Sequence, residues 1–284
     1  MSRAETTEAS LAGARPFALL GSELATLFRR RRTIAMLGAL ALVPILIAIA
    51  VRVTSGGSSG RGPAFLGDIT QNGLFVGFAA LTVSIPLFLP LTVGVVAGDT
   101  IAGEASLGTL RYLLVAPAGR LRLLAVKYVG AAVFSIAATA VIVLVGVGIG
   151  ALLFPIGPLT LLSGDTIGAG DFALRALLMI GYVSMSLLGF AAIGTFISTL
   201  TSVPVGAMAA TIVLAAASQI ADALPQLSAI HPWLFTDRWL GFGDLLRDPI
   251  SWDSYGQNAL LQLGYIVVFG ALAVGRFTTK DVLS

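Results

Sequence analysis

Five long intervals of this 284-residue sequence contain no Asp, Glu, Lys or Arg. They are Thr33–Val51, Asn72–Gly98, Tyr128–Gly164, Ala176–Ala221 and Ser254–Gly275. A charged side chain at the centre of a bilayer costs about 2.5 to 3.5 kcal/mol, and a helix needs about 20 apolar residues to cross the bilayer. Only 11% of the residues are charged, whereas soluble domains average about 25%. The intervals therefore predict membrane-spanning helices.

The fourth interval is long enough for two helices. Pro204 disfavours helical backbone at the residue before it, so we place a break there. Each span must be a helix, because backbone groups find no water to bond in the hydrocarbon core. We therefore expect an all-α polytopic membrane protein, with six spans at about 33–53, 73–98, 128–154, 174–198, 203–221 and 256–276.

The cationic residues are unevenly divided between the two sides that these spans define. With the N-terminus inside, twelve of the 17 Lys and Arg residues lie in inner segments. Only five lie outside: Arg52, Arg61, Arg175, Arg238 and Arg247. An excess of cations in short loops marks the cytoplasmic side, so we expect both termini in the cytoplasm and the chain in the plasma or inner membrane. The net charge of +3 is too small to favour nucleic-acid binding.

The N-terminal segment divides into two parts. Residues 1–16 are small and polar and predict a disordered tail, followed by one transmembrane domain over residues 17–284. Between Phe17 and Arg32 the apolar residues share one helical face and the polar ones, Glu23 among them, lie opposite. This pattern predicts an amphipathic elbow helix over 17–32 in the membrane interface. A plain extension of the first span is the alternative, with stop-transfer cations Arg29, Arg30, Arg31 and Arg32.

The inner loop between spans two and three, residues 99–127, combines an apolar ridge with charges of both signs. Leucines recur there at helical spacing, and Pro117-Ala118-Gly119 then breaks the helix. Arg120, Arg122 and Lys127 lead into span three. The loop predicts a short helix–turn–helix at the membrane surface, which suits docking into a groove of another protein.

Several residues of this loop form a pattern similar to the cytoplasmic motif of ABC-2-type transporter permeases: Glu104, Gly108, Thr109, Leu110, Leu113, Leu114, Pro117, Arg120, Leu123, Leu124 and Lys127. The order of elements also resembles that family. It comprises an elbow helix, six spans, a coupling helix after span two and an outer helical segment before span six. The resemblance implies an ABC-2, type V exporter-like fold and the transmembrane subunit of an ABC exporter, which forms half of the translocation pathway.

The resemblance also implies partners. Two copies of a separate ATPase subunit, which bind ATP and Mg, are expected to dock on the motif residues of loop 99–127. Within the elbow, Glu23 and the basic run Arg29, Arg30, Arg31 and Arg32 are expected at the membrane surface. A second permease copy or a close paralogue is expected to complete the pathway. The chain itself cannot be a P-loop ATPase, because neither Lys127 nor Lys280, its only lysines, lies in G-x-x-x-x-G-K-[ST].

Enzymatic and metal sites find little support in the sequence. It contains no Cys and a single histidine, His231, so we predict no catalytic, cofactor-binding or metal-binding residues. No buried ionisable residue is predicted within the spans, which disfavours a carrier driven by protons or ions. Gly146, Gly148 and Gly150 predict close approach of span three to a neighbouring helix.

Two alternatives remain open at this level. One is a secondary carrier or channel that works without ATP, which predicts inverted repeats with broken helices. We find no convincing repeat between Thr33–Gly150 and Ala176–Gly275. The other is a membrane assembly or signalling subunit that transports nothing. The substrate also stays open, as does the position of Asp222–Asp253, which either re-enters the membrane or lies on its surface.

Overall fold

The computed structural model describes residues 18–54, 72–108, 119–157, 159–161 and 164–279. It is 83% helical, and six of its helices are long and apolar enough to cross a membrane. The predicted all-α, multi-pass membrane fold is therefore confirmed. Two predicted features lie wholly or mostly outside the described residues: the tail 1–16 and the centre of the loop 99–127.

The described helices follow the predicted order, with different bounds. In chain order they are α1 (Ala18–Arg29), α2 (Arg31–Thr54), α3 (Phe75–Ser84), α4 (Phe88–Ser106), α5 (Arg120–Leu153), α6 (Ala169–Leu200), α7 (Pro204–Ala223) and α8 (Trp252–Thr279). A hairpin of two-residue antiparallel strands, which the sequence did not indicate, precedes α6: β1 (Leu159–Thr160) and β2 (Thr166–Ile167). Spans three, four and six extend several residues beyond the charge-free intervals, because helices continue into the polar interface.

Span two differs from the prediction, because it is interrupted. Helix α3 ends at Ser84 and α4 begins at Phe88, with Pro86 between them. Ile85 still has helical backbone, and the chain departs from helical geometry at Leu87. Proline has no N–H to donate and its ring clashes with the preceding turn, which accounts for the break. A count of charge-free residues detects apolar length, and it is insensitive to such an interruption.

Helix α6 is the centre of the bundle and packs against α4, α5, α7 and α8. Its Tyr182 and Phe190 are fully buried. Elsewhere, α3 and α5 cross at glycines. A Cβ atom at Gly150 would lie 1.9 Å from the carbonyl oxygen of Gly73, whereas one at Gly148 would meet nothing within 4 Å. The predicted close approach is thus found at Gly150, as at Gly146, and not at Gly148.

Residues 224–251, here named the re-entrant segment, form three short 3-10 helices between α7 and α8. The Phe235 ring stacks on Phe190 at a centroid distance of 5.8 Å. Phe190 lies near the middle of α6, a 32-residue helix that is about 48 Å long. The segment therefore reaches deep into the bundle. Its carbonyl groups are satisfied by α6 and α8: Tyr182 donates to Arg238 (2.7 Å) and Gln262 to Phe235 (3.0 Å).

Buried polar residues are more numerous than the sequence suggested. Asn258 and Gln262 on α8 are fully buried, and Asn258 donates to Ser186 Oγ at 2.7 Å. The expectation of no buried ionisable residue in the spans was wrong. Arg175 is 6% exposed in the second turn of α6, where it donates to the carbonyl oxygens of the re-entrant segment, and Lys127 is 4% exposed in α5. Segments distant in sequence cover both side chains.

Candidate functional site

A buried lysine joins three helices at the end of the bundle that holds α1. Lys127 Nζ donates to Glu23 Oε1 on α1 at 2.7 Å and to Glu104 Oε1 on α4 at 2.9 Å. The lysine lies in the third turn of α5, and its two partners are 25% and 16% exposed. Two ion pairs at low exposure resist screening by salt. These three residues, named the Lys127 cluster, fix α1 and the end of α4 to α5.

A second ionic contact ties the same end of α4 to the start of the first span. Asp99 pairs with Arg32 and, at 3.5 Å, with Arg30. Asp99 is 13% exposed, whereas the two arginines are more than 40% exposed. Exposed pairs contribute roughly 0 to 1 kcal/mol each. The contact orients α4 more than it stabilises the fold.

The end of α4 is also fastened to α6 and α7 inside the bundle. Ser198 Oγ accepts from the backbone N–H groups of Ile101 and Ala102, both at 2.9 Å, and donates to the Gly98 carbonyl at 2.7 Å. A Cβ atom at Gly98 would lie 2.8 Å from the backbone of Met208 on α7. Helix α4 thus contacts four helices close to the point where the loop begins.

The described ends of the loop have the backbone that a turn requires. Gly108 and Gly119 both have φ of +71°, a conformation that side chains other than glycine rarely adopt. Gly108 follows the end of α4, and Gly119 precedes the start of α5. Arg120, the first residue of α5, donates to the Thr278 carbonyl at the end of α8 at 2.9 Å. Both ends of the loop are therefore joined to spans.

A polar cavity of about 190 Å³ lies between these contacts. Its walls include Glu23, Asp99, Glu104 and Lys127, and Pro204 at the start of α7 borders it. The cavity holds charges of both signs, and no group of three or more metal-binding side chains occurs among the described residues. The arrangement can bind a charged group of a partner protein.

In a comparison with known protein families, residues 17–229 match the family described as ABC-2 family transporter protein. The chain belongs to this family. A search of curated proteins finds no match. The matched part contains the Lys127 cluster, five spans and the loop 99–127, whereas α8 lies beyond it. This ABC-2 permease is therefore a membrane component of an ABC transporter, and the resemblance seen in the loop is confirmed.

The structure of the permease places only part of the predicted site. Glu104, Gly108, Arg120 and Lys127 are described, and Glu104 and Lys127 are in contact. The basic residues at the end of the predicted elbow are exposed: Arg29, Arg30, Arg31 and Arg32. Of these, Arg30 and Arg32 pair with Asp99. Five predicted residues lie outside the described part of the chain: Thr109, Leu110, Leu113, Leu114 and Pro117.

Sequence reasoning missed two residues that organise the permease at this end. Asp99 was the first acid after span two, and its position one residue beyond a charge-free interval was a usable signal. Ser198 gave no signal, since a serine within an apolar span most often bonds within its own helix. Only the crossing of α4 and α6 reveals that it bonds another helix.

Proposed function

We propose that this permease is the transmembrane subunit of an ABC exporter, driven by a separate ATPase subunit that docks on residues 99–127. The observation that supports the proposal best is the Lys127 cluster. It links the end of α4, where the loop begins, to α1 and to α5, where the loop returns. A force applied to the loop therefore acts on three helices together.

The coupling step follows from this arrangement. ATP binding closes two ATPase subunits, and the loop of each permease moves with the subunit docked on it. Because α4 also contacts α6 and α7 through Ser198 and Gly98, the displacement is transmitted to the spans. The interruption at Pro86 lets α4 move separately from α3. ATP and Mg are bound by the ATPase, and the permease supplies the pathway.

A second copy of the permease, or a close paralogue, completes that pathway. One face of α7 supports this part of the proposal, because it is exposed and carries small residues, including Gly206, Ala209 and Ala210, beside Val205 and Val213. Small residues let helices approach closely within a bilayer. This face stays accessible in a single chain, as a pairing surface requires.

The orientation of the permease is part of the same proposal. The Lys127 cluster, Arg30 and Arg32 all lie at one end of the bundle. Together with the excess of cations in the inner segments, this supports an orientation with that end and both termini in the cytoplasm, and a location of the permease in the plasma or inner membrane. The ATPase, a soluble subunit, is then on the side where ATP is found.

Purification from the natural host tests the proposal. A tagged permease is expected to carry an ATP-hydrolysing subunit in a fixed ratio, and hydrolysis is expected to require Mg. A Glu104→Gln/Lys127→Met variant, which removes the pair between α4 and α5, is expected to retain the permease fold and lose the stimulation of hydrolysis. If no ATPase accompanies the permease and none is stimulated by it, the proposal is wrong.

A further inference from the structure

A long apolar groove runs along α8 beside the re-entrant segment. It encloses a volume of about 620 Å³. Its lining residues on α8 recur along one helical face, from Gln257 to Phe269. At 1.5 Å per residue this face is about 18 Å long. The hydrocarbon of one leaflet is about 15 Å thick, so the groove has the length of one leaflet.

No side chain fills the floor of the groove at Gly264, and aromatic rings form its wall. Gly264 forms part of the floor, and a Cβ atom there would meet nothing within 4 Å. The rings of Tyr265 and Phe269 stack at 5.9 Å, and Trp233 of the re-entrant segment is 74% exposed at the opposite edge. Such an apolar, aromatic-walled groove fits an acyl chain.

The Tyr265 hydroxyl donates to the Trp233 carbonyl at 2.7 Å, and the charged and amide side chains that line the groove lie at one end. Arg238 and Gln257 line it there, one to two turns from Trp252 at the start of α8. Arg238 contacts Asp237 through Nε at 3.6 Å, so both terminal nitrogens of its guanidinium can donate elsewhere. The charged Asp253 lies beside Trp252 in the first turn of α8, and charged side chains are excluded from the hydrocarbon, so this end of the groove lies at headgroup level. The cation is therefore positioned at the depth of a lipid phosphate.

We propose that this groove binds one phospholipid of the leaflet that the re-entrant segment enters. The phosphate lies at Arg238 and Gln257, and an acyl chain follows α8 as far as Phe269. Charge complementarity selects this occupant, because a guanidinium at the edge of the hydrocarbon donates to an anionic phosphate in a bidentate ion pair, whereas a diacylglycerol offers only neutral ester and hydroxyl oxygens as weaker acceptors. The groove is remote from the Lys127 cluster. The proposal that it binds a phospholipid therefore does not depend on whether that cluster couples to an ATPase.

Tryptophan quenching in dodecyl maltoside micelles, which contain no phosphate, tests the proposal. The full-length permease is titrated with phosphatidylglycerol or diacylglycerol, each brominated on its acyl chains. The emission of Trp233 is obtained by subtracting a Trp233→Phe variant, and that of Trp252 by subtracting Trp252→Phe. Trp252 is also exposed but lies outside the groove. Half-maximal quenching of Trp233 is expected at a roughly tenfold lower concentration of phosphatidylglycerol than of diacylglycerol, which is the difference that one charged contact allows. Trp252 is expected to be quenched equally by both lipids.

Two variants assign the effect to the groove. Arg238→Gln is expected to abolish the difference between the two lipids, and Gly264→Leu to weaken the quenching of Trp233 by both. Gly256→Leu is the matched control, because Gly256 lies on α8 in equally open surroundings and does not line the groove. Equal quenching by both lipids at Trp233, or an unchanged preference in Arg238→Gln, overturns the proposal. The comparison of the two lipids uses an intact groove, so it stands even if Gly264→Leu fails to fold.

Discussion

Replacing Lys127 by methionine removes the positive charge that bonds two carboxylates. Glu23 and Glu104 lie 2.7 and 2.9 Å from Nζ, so their oxygens are no more than about 5.6 Å apart. At an effective dielectric constant of about 20, two unit charges at this distance repel by about 3 kcal/mol. Partial exposure of Glu23 lowers the repulsion somewhat. We expect Lys127→Met to reduce the free energy of unfolding by about 2 to 3 kcal/mol.

The change is measured as thermal unfolding of the purified permease in detergent. At roughly 2 to 4 °C per kcal/mol, the melting temperature of Lys127→Met is expected to fall by about 4 to 12 °C. Arg52→Met is the control, because it also replaces a cationic side chain by methionine, at an exposed position in the last turn of α2. Its melting temperature is expected to remain that of the wild type.

A triple variant tests the physical cause. Lys127→Met/Glu23→Gln/Glu104→Gln removes all three charges, and replacing a whole buried ionic group is often close to neutral. We expect it to recover most of the lost stability. If Lys127→Met has the same melting temperature as Arg52→Met, or if the triple variant is as unstable as Lys127→Met, repulsion between the carboxylates is not the cause, and the reasoning fails.

Two further substitutions test the packing around α4 and α5. Gly150→Ala is expected to prevent formation of a monodisperse permease in size-exclusion chromatography, because its Cβ would lie 1.9 Å from the Gly73 carbonyl oxygen. Gly148→Ala is the control: it lies in open space on the same helix and is expected to elute as the wild type does. Ser198→Ala removes three buried hydrogen bonds between α6 and α4 and is expected to lower the free energy of unfolding by about 1 to 3 kcal/mol. In the same melting experiment, the exposed Ser202→Ala should change nothing, and equal stability of the two serine variants would contradict the bonding described for Ser198.

The membrane architecture of this permease could be predicted because one physical quantity dominates it. Charges are costly in hydrocarbon, so charge-free intervals locate the spans, and Pro204 correctly separated spans four and five. The same reasoning did not detect the interruption at Pro86, since proline is tolerated within transmembrane helices and its effect depends on neighbouring contacts. Length and polarity thus predicted which segments span, and local backbone geometry decided their continuity.

The candidate site was predictable in its members and not in its contacts. Glu104 and Lys127 were identified through the family motif and Glu23 through the amphipathic pattern, yet nothing in the sequence indicated that the lysine bonds both acids. That contact depends on how α1 packs against α5, which is a tertiary property. Asn258 and Gln262 were missed for a similar reason, because a polar side chain in an apolar span shows its partners only after the helices are assembled.

Site-directed crosslinking tests the central claim, docking of a separate ATPase on the loop, most directly. The chain contains no cysteine, so a single Leu107→Cys places one reactive group where α4 ends, and Val53→Cys places another at the opposite end of the bundle. The two native side chains are 76% and 72% exposed. In membranes of the natural host, a crosslinker at position 107 is expected to capture a subunit that binds ATP, and one at position 53 is not. Capture of that subunit at neither position, or equally at both, would contradict the account.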